Sequence, residues 1–238
     1  GSGAVGSQTL TLNHGGGVAM NAGVGVSQLF NSALLLGTDA TAQSYAFSNE
    51  SLAGTLTFAG GISGGATGVA GAKTLNVAGA GNTTISGIIA NGGAASVGLV
   101  KSGAGTLRLS GVNTYTGATT INTGTLIAGN AAALGANTAG TTVAAGATLD
   151  VGGQNLGTEV VTISGTGVGG NGAIVNSGVD QINALGRIVL AANSTIGGSS
   201  RWDLRNSTPT LNMAGFTLTK TGANYLPFVA ATVSNPGH

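Results

Sequence analysis

Short runs in which apolar and polar residues alternate recur along the whole chain, and most of them close on Gly or Asn. Thr9-Leu10-Thr11-Leu12, Gly54-Thr55-Leu56-Thr57-Phe58, Lys73-Thr74-Leu75-Asn76-Val77 and Gly105-Thr106-Leu107-Arg108-Leu109 are the early examples. Ala147-Thr148-Leu149-Asp150-Val151, Thr210-Leu211-Asn212-Met213 and Phe216-Thr217-Leu218-Thr219-Lys220 continue the pattern. A period of two points one set of side chains inward and the other to solvent, which predicts half-buried strands. Thr suits the outer set because it is β-branched and hydrates well. The Gly-Gly, Gly-Asn, Asn-Gly and Ser-Gly pairs between the runs supply the positive φ of tight turns. The prediction is an all-β chain of many short strands.

The spacing of these strands separates a solenoid from a sandwich or a barrel. Thr-Leu strands start at Thr55 and Thr74, and again at Thr106 and Thr125, with the same step within each pair, and the step from Thr125 to Thr148 is slightly longer. Leu99-Val100-Lys101-Ser102-Gly103-Ala104 returns as Leu218-Thr219-Lys220-Thr221-Gly222-Ala223, and Thr83-Thr84-Ile85 resembles Thr119-Thr120-Ile121. A sandwich gives no reason for repeats, whereas a parallel β-helix stacks one repeat per turn. With roughly 20 to 23 residues per rung, the chain predicts about 11 rungs and a rod on the order of 50 Å at ~4.8 Å per rung. Stacked Asn side chains are expected between rungs, with Asn113, Asn122 and Asn130 as one candidate column.

Composition narrows the function classes. Of 238 residues, 46 are Gly, 7 are basic, 6 are acidic, 3 are Pro and none is Cys. Collagen is excluded, because Gly keeps no three-residue period. A net charge of +1 argues against nucleic acid, which requires clustered Lys and Arg. Without Cys there is no disulfide framework and no thiolate metal site. No stretch reaches the ~18 apolar residues of a spanning helix. Residues Gly1 to Leu10 lack the basic start and apolar run of a signal peptide, so a mature or excised segment is expected.

The most telling stretch is Leu99-Val100-Lys101-Ser102-Gly103-Ala104-Gly105-Thr106-Leu107-Arg108-Leu109-Ser110-Gly111, followed by Val112-Asn113-Thr114-Tyr115-Thr116-Gly117 and closed by Gly124-Thr125-Leu126. It resembles the autotransporter-associated β-strand repeat of passenger regions in large secreted bacterial proteins. The best match spans 98–130. A weaker copy from Leu218 departs from it, with Asn224 in the place of Gly105 and Tyr225-Leu226-Pro227 following. The resemblance implies a right-handed parallel β-helix forming a single segment over 1–238, export to the cell surface or beyond, and a stalk or display role. It does not imply an enzyme.

Chemistry-bearing residues are few. Gly1-Gly3-Gly6 and Gly165-Gly167-Gly170 match the dinucleotide spacing, but a chain this rich in Gly produces such matches by chance, and neither leads from a strand into a helix. His14 and His238 stand far apart without Cys or acidic companions, which leaves no triad and no zinc site. Glu159, Asp180 and Asp203 follow one another at intervals near one rung each, with Arg187, Arg201 and Arg205 close by. Such carboxylates can stack into a polysaccharide-cleaving column. The plainer expectation is an amphipathic strand, Arg201-Trp202-Asp203-Leu204-Arg205, with a surface ion pair. Thr114-Tyr115-Thr116 and Thr119-Thr120 are too interrupted for an ice-binding face, and no acidic residue lies between Ser51 and Leu149 to hold calcium in turns. A projecting loop over Asn31–Glu50, carrying Tyr45 and Phe47, is the candidate for adhesion to a surface or glycan. No catalytic, cofactor-binding or metal residue is assigned, and no cofactor is expected. The expected role is a structural rod in a bacterial fibre or surface stalk. Its partners are then further copies stacked head to tail through open rung edges, or flanking segments of the same long chain.

Overall fold

The structure, a computed structural model, describes residues 8–66, 68 and 71–236. Gly1-Gly3-Gly6 and His238, weighed above from the sequence, lie outside the described residues. The chain is all-β, with a single 3-10 turn at Val168–Gly170 among the described residues. Every strand pairing is parallel, and each strand pairs with the one a full turn later. The result is a three-faced solenoid.

In the first turns the faces are set by Thr9–Leu12, Val18–Met20 and Gln28–Phe30. The first face continues through Ala33–Leu36, Ile62–Ser63 and Ile89–Ala90. The second runs through Gln43–Asn49, Lys73–Ala78, Val97–Lys101, Thr119–Ile121, Thr141–Val143 and Val160–Gly165. It then passes through Arg187–Ile196 and Thr210–Asn212 to Thr232–Ser234. That makes ten stacked strands and nine rung-to-rung steps, so the described residues wind about nine turns. Nine steps at ~4.8 Å give a rod of about 43 Å. The third face stacks Leu56–Phe58, Thr83–Ile85, Thr106–Leu109, Gly124–Ala128, Ala147–Asp150, Ile174–Val175 and Leu218–Lys220. Strand Arg187–Ile196 bends round a corner, serving the second face at Ile188 and the third at Ile196.

Rung length explains the difference from eleven. Phe47, Val77, Lys101 and Ile121 occupy one register column, and the stretch of chain between successive members shrinks at each step. The early turns carry longer corners, so fewer turns fit. The same variation corrects two repeats. Thr106, Thr125 and Thr148 do stack in register, but Thr55 leads into the third face and Thr74 lies on the second. Likewise Leu218–Lys220 belongs to the third face, whereas its sequence counterpart Val97–Lys101 belongs to the second.

Alternation along most strands fills the interior with aliphatic stacks, such as Ile121, Val143 and Ile163 behind the second face and Leu107, Leu126 and Leu149 behind the third. In the early turns Phe30, Phe47 and Phe58 stack at centroid distances of 5.3 and 4.6 Å. Tyr45 and Phe47 are fully buried. Residues 31–50 therefore contain two strands, Ala33–Leu36 and Gln43–Asn49, and are not a projecting aromatic loop.

The corner between the second and third faces is a stack of glycines. A Cβ on Gly105 would lie 2.0 Å from the Gly81 carbonyl oxygen one rung away. Rungs ~4.8 Å apart leave no room for a side chain directed along the axis. Gly124 continues the stack with φ of +70°, a conformation that other residues rarely adopt.

Candidate functional site

Face one loses its strand between Ile89–Ala90 and Gln181–Leu185. In the three intervening turns irregular backbone takes its place, and Asn113 substitutes for the missing ladder. Its Oδ1 accepts the Ile89 N–H at 2.9 Å and its Nδ2 donates to the Ala133 carbonyl at 2.6 Å. Above it, the Ala136 N–H donates to the Tyr115 carbonyl, and the Leu156 N–H donates to Ala184. Where the strand is missing the wall is indented, forming a cleft of about 440 Å³ lined by Ala132, Leu134, Ala136, Asn137, Leu156 and Glu159.

At the side of this cleft a polar ladder passes into the interior. Tyr115 Oη and Thr119 Oγ1 share a hydrogen bond of 2.6 Å, and Thr141, stacked on Thr119, donates to Glu159 Oε1 at 2.8 Å. Glu159 is 3% exposed. Burial pushes its carboxyl above the usual range, only partly offset by the Thr141 hydrogen bond, because an ion leaving water loses hydration that one hydroxyl cannot replace. Burial likewise raises the Tyr115 phenol, with the nearby Glu159 charge adding to the effect.

The three carboxylates do not form a column. Glu159 turns back toward Thr141 on the preceding turn, at the corner where Val160 pairs with Arg187. Asp180 lies at the opposite end of Gln181–Leu185, where its Oδ1 accepts the Arg201 N–H at 2.9 Å. Asp203 is 0% exposed and takes two hydrogen bonds, both 2.7 Å, from the Arg201 guanidinium. That pairing is the main reason the Arg201 guanidinium holds its proton more firmly than usual. Trp202, Asp203 and Leu204 are all buried, Arg205 and Arg187 are exposed, and Arg201 lies 5.2 Å from the Tyr225 ring centroid. The expected surface ion pair is thus half internal: its carboxylate is in the wall and its cation at the rim. Spacing near one rung failed to align these residues because each sits at a different point around the turn.

The Asn113, Asn122 and Asn130 column is also absent. Asn122 follows Thr119–Ile121 and is exposed, while Asn130 caps its own turn through the Ala132 N–H. Asn176, which sequence reasoning passed over, links three turns. Its Oδ1 accepts from Gly153 and Gly178, and its Nδ2 donates to Val179 and Arg201. Nothing in Asn176-Ser177-Gly178 distinguishes it from the chain's other turn asparagines.

His14 does have an acidic companion, contrary to the reading of the sequence: it stands beside Asp39, 3.5 Å away, because the corner that carries Asp39 lies one turn further along. Among the described residues no three His, Asp or Glu side chains approach closely enough to hold a metal, and no helix is long and apolar enough to cross a membrane. Gly165-Gly167-Gly170 forms the loop and 3-10 turn after Val160–Gly165.

The buried lysine of the repeat has a structural explanation. Lys101 Nζ donates to the carbonyls of Ser102, Gly103 and Thr123, tying its turn to the next. Burial pushes its ammonium down to about 8, although three carbonyl acceptors favour the charged form. Lys220 repeats the local clamp on Thr221 and Gly222. The likeness between the two segments is therefore one of turn chemistry.

A parallel β-solenoid stitched through its turns in this way is the architecture of a passenger-type repeat segment. Residues 99–128 match the family model described as passenger-associated-transport-repeat. Together the fold and the match show that the chain carries an autotransporter passenger repeat, which covers the part of the rod where the rungs have shortened. Comparison with curated proteins and with solved structures returned no match.

Proposed function

We propose that this chain is a structural rod of a bacterial protein displayed at or released from the cell surface, and that it carries out no reaction. The observation that supports this most directly is the unbroken parallel ladder of the second face, running from Val18 to Ser234 with the passenger repeat set into it. Hydrogen bonds between turns lie along the axis, so the ladder resists extension while each strand pairs only with those of the neighbouring turns. The edges of Val18–Met20 and Thr232–Ser234 directed away from the ladder make no strand pairing among the described residues. Such edges are templates for strand addition. Further turns of a longer polypeptide, or further copies placed head to tail, complete them.

Two measurements test this reading. In electron micrographs, head-to-tail stacking predicts rods that lengthen by about 48 Å per copy, the nine steps within a copy plus the one between copies, whereas uniform single-length particles eliminate stacking and leave continuation within a longer chain. For location, the segment expressed within its native protein is expected to be labelled by antibody on intact cells. Signal only after lysis would overturn the surface role.

A further inference from the structure

We propose that the first-face cleft binds an alkylammonium group, a primary amine on a short methylene stem, with Glu159 as its counter-ion. Glu159 is buried at the side of the cleft, and only Oε1 is engaged, by Thr141. Oε2 has no hydrogen-bond partner among the described residues. Nor does Glu159 have a cation: the ion pairs there are His14 with Asp39 and Arg201 with Asp203. Arg187, adjacent to it in register, is exposed. A buried carboxylate must be neutralised by a proton or matched by a positive charge, and here the open side of the group is a cleft.

The lining selects which cation. Among the described residues no group of three His, Asp or Glu stands together as a metal shell, and a divalent ion demands several such oxygens. The walls contributed by Ala132, Leu134, Ala136 and Leu156 are apolar, which suits methylenes that bury their length while the charge reaches the carboxylate. At about 440 Å³ the cleft lies within the range of small-molecule sites. Asn137 and Asn155 also line it, offering amides to whatever carries the amine. The chemistry is shared by free alkylamines and by a lysine side chain of another protein.

The test uses the whole chain in low-salt buffer, where charge pairing is least screened. Titrating n-butylammonium, and separately n-butanol, is followed by NMR through the Glu159 carboxyl carbon and the backbone amides of 132–136 and 155–159. Binding of butylammonium confined to those signals, at least tenfold tighter than butanol and lowering the apparent Glu159 pKa, is the expected result. Glu159→Gln weakens it at least tenfold. Ala136→Leu, which narrows the cleft and leaves the carboxyl intact, abolishes amine binding while Glu159 still titrates. Nα-acetyl-lysine methylamide distinguishes the sources. Tighter binding than butylammonium assigns the site to a lysine side chain, and equal or weaker binding assigns it to free amines. Absence of binding, or equal affinity of wild type and Glu159→Gln, overturns the proposal.

Discussion

Gly105 shows how little tolerance a single position has in this fold. Its missing side chain is what lets the corner carbonyl of Gly81 approach, and a methyl group must push two rungs apart. Gly105→Ala is expected to cost about 2–3 kcal/mol, as overpacking does. Gly23→Ala, where a Cβ meets nothing within 4 Å and φ is not positive, is expected to be neutral or slightly stabilising through the unfolded state. Urea midpoints of the two variants check the contrast. Glu159 provides a second residue-scale expectation with a definite sign. Its carboxyl is held above the usual range in the fold, so the folded chain binds that proton more tightly than the unfolded chain does. Its contribution is then fully present below the unfolded value of ~4.3 and is lost as pH rises through the folded value. Thermal melts of wild type and Glu159→Gln should show wild type gaining on the variant as pH falls from neutral to about 4. A gap that does not change with pH would contradict this.

Among elements, the turns carry the specificity and the strands carry the bulk. Asn176 makes four hydrogen bonds that bind three successive turns, and Asn176→Ala leaves one buried and one part-buried N–H group and two carbonyls without their partner. A loss of about 3 kcal/mol or more is expected. Hydrogen exchange should quicken first at Gly153 and Gly178, whose amides it holds. Element by element, the sequence was easier to read for strands than for their placement. Alternation marked Lys73–Ala78, Thr106–Leu109 and Thr210–Asn212 because burial on one side only imposes a period of two, whereas all four residues of Ala147–Asp150 are buried despite their alternating sequence. Thr106, Thr125 and Thr148 were legible as a stack because the turns between them are short. Thr55 and Thr74 misled because an interval close to one rung says nothing about which face a strand occupies when corners vary in length. The same ambiguity placed Tyr45 and Phe47 in a loop, and set Glu159, Asp180 and Asp203 in one column. The cleft had no sequence signal at all. It arises where residues near Asn113, Ala133 and Leu156 fail to form a strand, and the Gly and Ala that permit this are spread over the whole chain.

For the whole molecule, strand pairing reaches no further than the adjacent turn, so its length is not fixed by any closed core. Gly105-Thr106-Leu107 and Gly124-Thr125-Leu126 are the same three residues one turn apart, and Thr106 and Leu107 stack on Thr125 and Leu126. Deleting residues 106–124 joins Gly105 directly to Thr125, placing each surviving strand of the third face on a partner of the same pattern. The shortened chain is expected to fold with one turn fewer, giving scattering and circular dichroism of a rod about 4.8 Å shorter. Deleting only half of that stretch moves every later strand to a neighbouring face and is expected to prevent folding. Repeated triplets at a one-turn interval are thus in-frame joints for recombination: unequal crossing-over between them changes the reach of the rod in whole storeys while leaving each storey unaltered.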